Sequence, residues 1–344
     1  MEEMADPKSP VEVVSGGATH VGRVREHNED AILVRPDLGL YVVADGAGGH
    51  NAGNVASALA IAVIENYFEA TEEAAKVTPS FDRFGISEGA RRLSNAIHKA
   101  NRDVVEISRT SKAHGGMGST VVAMFFDPID PVVHVAHVGD SRCYRMRGPY
   151  IERMTHDHSV LNDVLELKPD MPERALARLP RKVVTRALGM EENARVSVRT
   201  FEVGDGDSYL LCSDGLTSEV DDVDIRDTIL CTTDPSDVVK RLIEMAIHGG
   251  GRDNIAVVFL QCARAGMFAL RRAPESAPPE SDGERKTGLP EMPLTGDVLG
   301  ALAIPAGISL KTFADEPCAR CGAYRLLEDE LCPQCGERAT MDDG

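Results

Sequence analysis

Aspartate recurs in this chain wherever an apolar run meets a turn. Five short segments carry the pattern: Arg25-Glu26-His27-Asn28-Glu29-Asp30, Asp45-Gly46-Ala47-Gly48-Gly49-His50, Gly139-Asp140-Ser141-Arg142, Ser213-Asp214-Gly215 and Gly251-Arg252-Asp253-Asn254. Carboxylate oxygens held at strand ends, with small neighbours that let backbone and water approach, are what a hard cation requires. One Asp-Gly pair is first of all a turn signal. The repeated pattern points instead to a metal-dependent enzyme.

The elements that must position these residues can be read from register. Residues 31–35 (Ala-Ile-Leu-Val-Arg) and 40–44 (Leu-Tyr-Val-Val-Ala) are strand-like and flank Pro36-Asp37-Leu38-Gly39, a turn sequence. If Arg35 faces Leu40, antiparallel pairing carries Asp30 opposite Asp45. Val121–Phe126 and Val132–Val138, joined by Asp127-Pro128-Ile129-Asp130-Pro131, likewise lay Gly118-Ser119-Thr120 beside Gly139-Asp140. Asp214 follows the strand 208–212 and Asp253 precedes the strand 255–260, so antiparallel neighbours bring these two together as well. Buried like charges gathered in one place require cations between them.

In type and order these segments resemble the protein phosphatase 2C family of metal-dependent Ser/Thr phosphatases, most of all its compact bacterial branch. The resemblance covers residues 14–262 and includes Gly118-Ser119-Thr120, Val135-Ala136-His137-Val138-Gly139-Asp140-Ser141-Arg142, Asp157-His158-Ser159 and Thr185-Arg186-Ala187-Leu188-Gly189. It implies an α+β fold, an αββα sandwich of two central antiparallel sheets flanked by helices, with residues 156–184 as a flap beside the cleft. It also implies roles for individual residues. Asp45 would bridge two Mn²⁺ or Mg²⁺ ions, with the Gly46 carbonyl on one and Asp214 and Asp253 on the other. Glu29 and Asp30 would act through water, Asp140 with Asp214 would hold a third, weaker cation, and Arg25 would clamp the substrate phosphate. Asp30 and Asp45 thereby join Arg25 as the catalytic set. The all-oxygen ligand set suits Mn²⁺ or Mg²⁺ over softer metals. Ala47 stands where animal relatives carry His and bacterial ones usually Met, and a methyl group donates no proton. His50, His156 and His158 are the alternative proton sources, with His158 the best placed and His156 read as a surface residue.

Composition agrees with a soluble enzyme of more than one domain: 344 residues, 42% hydrophobic, 27% charged, aromatics at 4% and no tryptophan. Aliphatic side chains must carry the core. The net charge of −18 argues against nucleic acid or an anionic membrane as partner. The first residues lack the basic start and apolar core of a signal peptide, and no run is long enough to span a bilayer, so a cytoplasmic location is expected. Apolar residues at helical spacing predict helices over 54–69, 89–108 and 236–248. Residues 1–13 read as a tail, 14–263 as the catalytic domain and 264–312 as a linker rich in Pro and Glu, with a mildly apolar docking segment at 298–310.

Residues 313–340 carry a second metal signal. Cys318-Ala319-Arg320-Cys321-Gly322 and Cys332-Pro333-Gln334-Cys335-Gly336 are two C-x-x-C-G knuckles, the spacing of a tetrahedral four-thiolate zinc ribbon. Cys143, Cys212, Cys231 and Cys262 show no such spacing and read as small buried hydrophobes. The expected activity is hydrolysis of phosphoserine and phosphothreonine in proteins, among them a Ser/Thr kinase or its substrates. An alternative is a phosphoprotein-binding adaptor recruited through the ribbon, disfavoured because all four metal-set carboxylates are present. A third reading makes the ribbon the recruiting element for a partner on which the phosphatase acts.

Overall fold

The computed structural model describes residues 11–264, apart from 49–51, 78–80, 82–85, 128–131, 177 and 181–182. The linker, the segment 298–310 and the four ribbon cysteines lie outside the described residues.

Two antiparallel sheets form the centre. One runs in the order β1 (Val11–His20), β11 (Ile255–Arg264), β10 (Ser208–Cys212), β7 (Arg142–Arg147), β8 (Tyr150–Arg153). The other runs β2 (Asp30–Arg35), β3 (Leu40–Ala47), β5 (Val121–Asp127), β6 (Val132–Val138), β9 (Ser197–Glu202), with the short β4 (Gly118–Ser119) paired to the end of β3. The first strand of the domain pairs with the last, Val11 facing Arg264.

Alternation along the strands explains the layering. On β10, Tyr209 and Leu211 enter a core between the sheets with Tyr41, Val43, Val122, Met124, Val135 and Val258, whereas Leu210 and Cys212 turn to the other face. There they meet α7 (Asp222–Leu230) and α8 (Pro235–Gly249) through Ile225, Val238, Leu242 and Ala246. A strand buried on both faces reads as an unbroken apolar run, as Ser208–Cys212 and Ile255–Leu260 do. The outer face of the second sheet is covered by α1 (Ala52–Ala70), which packs on β3 and on α3 (Glu88–Thr110). The helix stripes are core, with Ala56, Ile64, Tyr67, Leu93, Ile97 and Ala100 buried.

The expected register holds: Arg35 faces Leu40 and Asp30 faces Asp45, and the Pro36–Leu38 turn closes on Gly39 at φ 64°. Val121 faces Val138, which brings Thr120 beside Gly139; a Cβ on Gly139 would lie 2.6 Å from that of Thr120. The three helices extend the expected spans by one or two residues at their ends. Two of the later helices start where their caps dictate. Asp234 accepts from Ser236 N at 2.8 Å ahead of Pro235, and Asp221 accepts from Val223 N and Asp224 N.

Other elements carry weak signals. β7 reads Arg-Cys-Tyr-Arg-Met-Arg, and its basic residues hide the strand because they are paired: Arg142 with Asp157, Arg145 with Glu152, Arg147 with buried Asp207. The segment 156–184 holds two short helices, α4 (Val160–Leu167) and α5 (Glu173–Leu176). One cysteine departs from expectation: Cys143, Cys212 and Cys262 are buried, but Cys231 is exposed at the C-terminal cap of α7, where the helix has already turned to solvent. No helix among the described residues is long and apolar enough to cross a membrane.

Candidate metal centre

The aspartates converge because strand ends converge. Asp30 opens β2 opposite Asp45 near the end of β3; Asp214 opens α6 (Asp214–Thr217) directly after β10; Asp253 sits two residues before β11, the neighbour of β10. Asp140 follows β6 in the turn that leads to β7. Burial pushes the Asp45 carboxyl well above the usual range, and Asp30, Asp214, Asp140 and Asp253, in that order, push it further. Burial also raises Asp30, reinforced by Asp214 and Asp253 against the hydrogen bond from Ser213. Asp140 is pushed up to about 6, by burial first and then by Asp214 and Asp157. All five aspartates therefore share one electrostatic neighbourhood.

Neutral groups hold the backbone of this site. Ser213 Oγ donates to Asp30 Oδ2 at 2.7 Å while accepting from Ala256 N at 2.9 Å. Ser119 Oγ donates to Asp45 O at 3.0 Å, and Thr120 Oγ1 accepts from Asp45 N at 3.3 Å and shares a 2.7 Å hydrogen bond with Ser141. Ser57 Oγ donates to Glu29 O at 2.6 Å, and Gly46 N donates to the same carbonyl at 3.1 Å. A Cβ on Gly46 would stand 2.0 Å from Gly53 O, and one on Gly53 would stand 2.7 Å from the Glu29 carboxylate carbon. Glycine at both positions lets the first turn of α1 press against Glu29 and the end of β3.

Arg25 is half exposed, and its Nη2 donates to Asp253 Oδ2 at 2.9 Å. Asp253 chiefly, with smaller contributions from Glu29 and Asp45, holds its guanidinium above the ordinary arginine value. The expected carboxylates and the expected arginine are thus brought together. Among the described residues no three His, Cys, Asp or Glu side chains stand close enough to hold a metal ion as a group. The residues present nevertheless fit hard cations. The donors are oxygens alone, Asp30 Oδ1 is buried with no hydrogen-bond partner, and neighbouring carboxylates add to burial in raising the Asp30 and Asp45 carboxyls, a repulsion that divalent charge between them would remove.

The histidines require a correction. His158 is buried, with Nδ1 accepting from Gly139 N at 3.1 Å and Nε2 against Ser197 Oγ at 2.9 Å, and its ring stacks on His137. Burial, then His137 and Arg186, push its pKa down to about 4. Both nitrogens are engaged within the protein, so His158 anchors the start of the 156–184 segment and is not a proton donor. His156 is exposed, 3.6 Å from Glu166, as a surface residue should be, and His50 lies outside the described residues. Sequence reasoning passed over Ser57, Ser213 and Asn254, although the last two stand inside quoted segments; a serine or asparagine beside a candidate ligand is the usable signal.

Carboxylates gathered at the ends of two sheets, one of them paired with an arginine, suit a metal-dependent enzyme acting on anionic substrates. Residues 17–245 match the family model described as protein phosphatase 2C. The serine/threonine phosphatase stp of Listeria monocytogenes is 31% identical over 246 residues, covering 71% of this chain and 93% of that protein. The crystal structure of the Mycobacterium tuberculosis serine/threonine phosphatase PstP/Ppp has a TM-score of 0.63 at 30% identity, covering 73% of this chain and 99% of that one. A structure of the PstP catalytic domain in complex with two manganese ions has a TM-score of 0.60 at 30% identity, with 74% and 99% covered. The chain belongs to the protein phosphatase 2C family, in its bacterial PstP- and Stp-like branch, and is a metal-dependent protein serine/threonine phosphatase.

The histidine geometry makes a testable statement. His158→Gln should cost about 1–3 kcal/mol in stability, read as a lowered Tm, because it disturbs two buried hydrogen bonds. The pH profile of kcat should keep its shape; a fall in kcat of about a hundredfold or more with loss of one limb would restore His158 as an acid.

Proposed function

We propose that Asp45, the Gly46 carbonyl, Asp214 and Asp253 hold two Mn²⁺ or Mg²⁺ ions, that Asp140 with Asp214 holds a third, weaker one, and that Arg25 receives the phosphate of phosphoserine or phosphothreonine. The observation that carries this is that Asp30, Asp45 and Asp140, at one end of both sheets, are each pushed up by burial first and by Asp214 besides. When bound, such cations lower the pKa of water to supply hydroxide near neutral pH and offset charge on the phosphoryl oxygens. The chain's own residues do the rest. Arg25, on the loop between β1 and β2, offers a planar fork of donors that matches two phosphate oxygens. Glu29 and Asp30 accept hydrogen bonds from water and orient it, Asp30 through the Oδ1 that has no protein partner. Ala47 has no proton to give and both nitrogens of His158 are engaged, which leaves water at the site or His50 to protonate the departing seryl or threonyl oxygen. Substrates are phosphoproteins, among them an opposing Ser/Thr kinase or the proteins it modifies. Cys318, Cys321, Cys332 and Cys335 hold one structural Zn²⁺, a reading supported by the knuckle spacing.

Asp253→Asn should lower kcat on a phosphothreonine peptide on the order of a thousandfold, about 4 kcal/mol of barrier, because it removes a ligand charge. Undiminished wild-type turnover in excess chelator would sink the metal mechanism. Arg25→Ala should raise KM about tenfold to a hundredfold as well as lowering kcat, since a phosphate clamp binds ground and transition states alike. An unchanged KM would make Arg25 structural. For the ribbon, mild chelation should stop catalysis while elemental analysis still finds one zinc per chain, and truncation after Met267 should remove that zinc yet spare activity on small phosphoesters. Loss of all activity on truncation would make the ribbon part of the catalytic fold.

A further inference from the structure

The segment that carries Arg25 has no regular structure. It runs from residue 21 to residue 29, between the end of β1 and the start of β2. One side chain from the far end of the domain ties it down at three points. Asn254 Nδ2 donates to Val21 O and to His27 O, each at 2.9 Å, and its Oδ1 accepts from Glu29 N at 2.8 Å. Arg25 lies between the first two anchors.

Asn254 also touches both carboxylate-bearing turns. Its own backbone N donates to Asp253 Oδ1 at 2.9 Å, which leaves Oδ2 directed at Arg25. Its carbonyl oxygen occupies the space a side chain at residue 215 would need, since a Cβ on Gly215 would stand 1.8 Å from it. Asn254 itself is 5% exposed, so its own amide exchanges these protein partners for water only at a cost.

We propose that Asn254 is a positioning residue of the phosphatase reaction, fixing the Arg25–Glu29 segment against Asp214 and Asp253 so that phosphate clamp and metal ligands keep one geometry. This rests on the reading of Arg25 as clamp and Asp253 as ligand. The chemistry of the position is specific. A side chain of this length must offer two donors on one arm and one acceptor on the other, which only the asparagine amide does. Aspartate keeps the acceptor but sets a second carboxylate oxygen against two carbonyl oxygens. Alanine removes all three ties, to Val21 O, His27 O and Glu29 N, and leaves the segment held by none of them.

The test compares Asn254→Ala, Asn254→Asp, Arg25→Ala and Asp253→Asn with the wild type, in the full chain. Three quantities are read: KM and kcat on a phosphothreonine peptide, the Mn²⁺ dissociation constant by titration calorimetry, and Tm. Asn254→Ala should raise KM about tenfold and weaken Mn²⁺ binding several-fold, with Asn254→Asp the more affected in both. If Asn254→Ala does not fold, Asn254→Ser, which keeps one hydrogen-bonding group at the position, is read for the same quantities. Wild-type KM and wild-type Mn²⁺ affinity in a folded Asn254 variant, with only Tm lowered, overturn the proposal. If Arg25→Ala raises KM in that same experiment, only the positioning role has failed; if Arg25→Ala leaves KM unchanged, the site reading fails and takes the positioning role with it.

Discussion

Everything at the functional end of this protein answers to the repulsion among buried carboxylates. Asp30, Asp45, Asp140, Asp214 and Asp253 lie in one electrostatic neighbourhood, and burial alone already works against the charge of Asp30, Asp45 and Asp140. Arg25 offsets a little of this, but from a half-exposed position, where solvent screens the attraction. The larger countercharge has to come from divalent ions. A site so arranged spends folding stability on chemistry, and the rest of the domain must hold together without its help.

The scaffold meets that demand with neutral groups. Ser57, Ser119, Thr120, Ser213 and Asn254 fix the backbone or the carboxylates of the site without adding charge to it. Glycines 46 and 53 remove the side chains that would separate α1 from the end of β3. Behind them stand two aliphatic cores, one between the sheets and one between the first sheet and α7 with α8. Rigid strand ends are needed here, because a ligand set must keep its geometry through turnover.

How much of this could be read in the residues follows from what each element hides. The pairing of Asp30 with Asp45 was legible because the loop is short, the strands are apolar and Pro36 and Gly39 mark the turn; one loop length then sets every pair. The helices were legible from their stripes. β7 was not, because arginines that pair with acids across the sheet look like solvated charge until those partners are known. His158 misled for a related reason. A histidine inside a recognisable tripeptide suggests chemistry, while its hydrogen bonds to Gly139 and Ser197 involve residues far away in the chain.

The pairing of β1 with β11 also bears on how the domain comes into being. Val11 meets Arg264 and His20 meets Ile255, so the opening strand has no partner until the closing one has been synthesised. The segment with Arg25 waits on the same event, since Asn254 reaches it across 233 positions to Val21. Contacts between the two ends of a chain are the slowest to form during folding. A ribosome-bound fragment could build β2, β3, α1 and α3 early, yet would remain without a finished centre. Until β1 and β11 have paired, the segment with Arg25 lacks its ties to Asn254, so closing the sheet is what completes the centre.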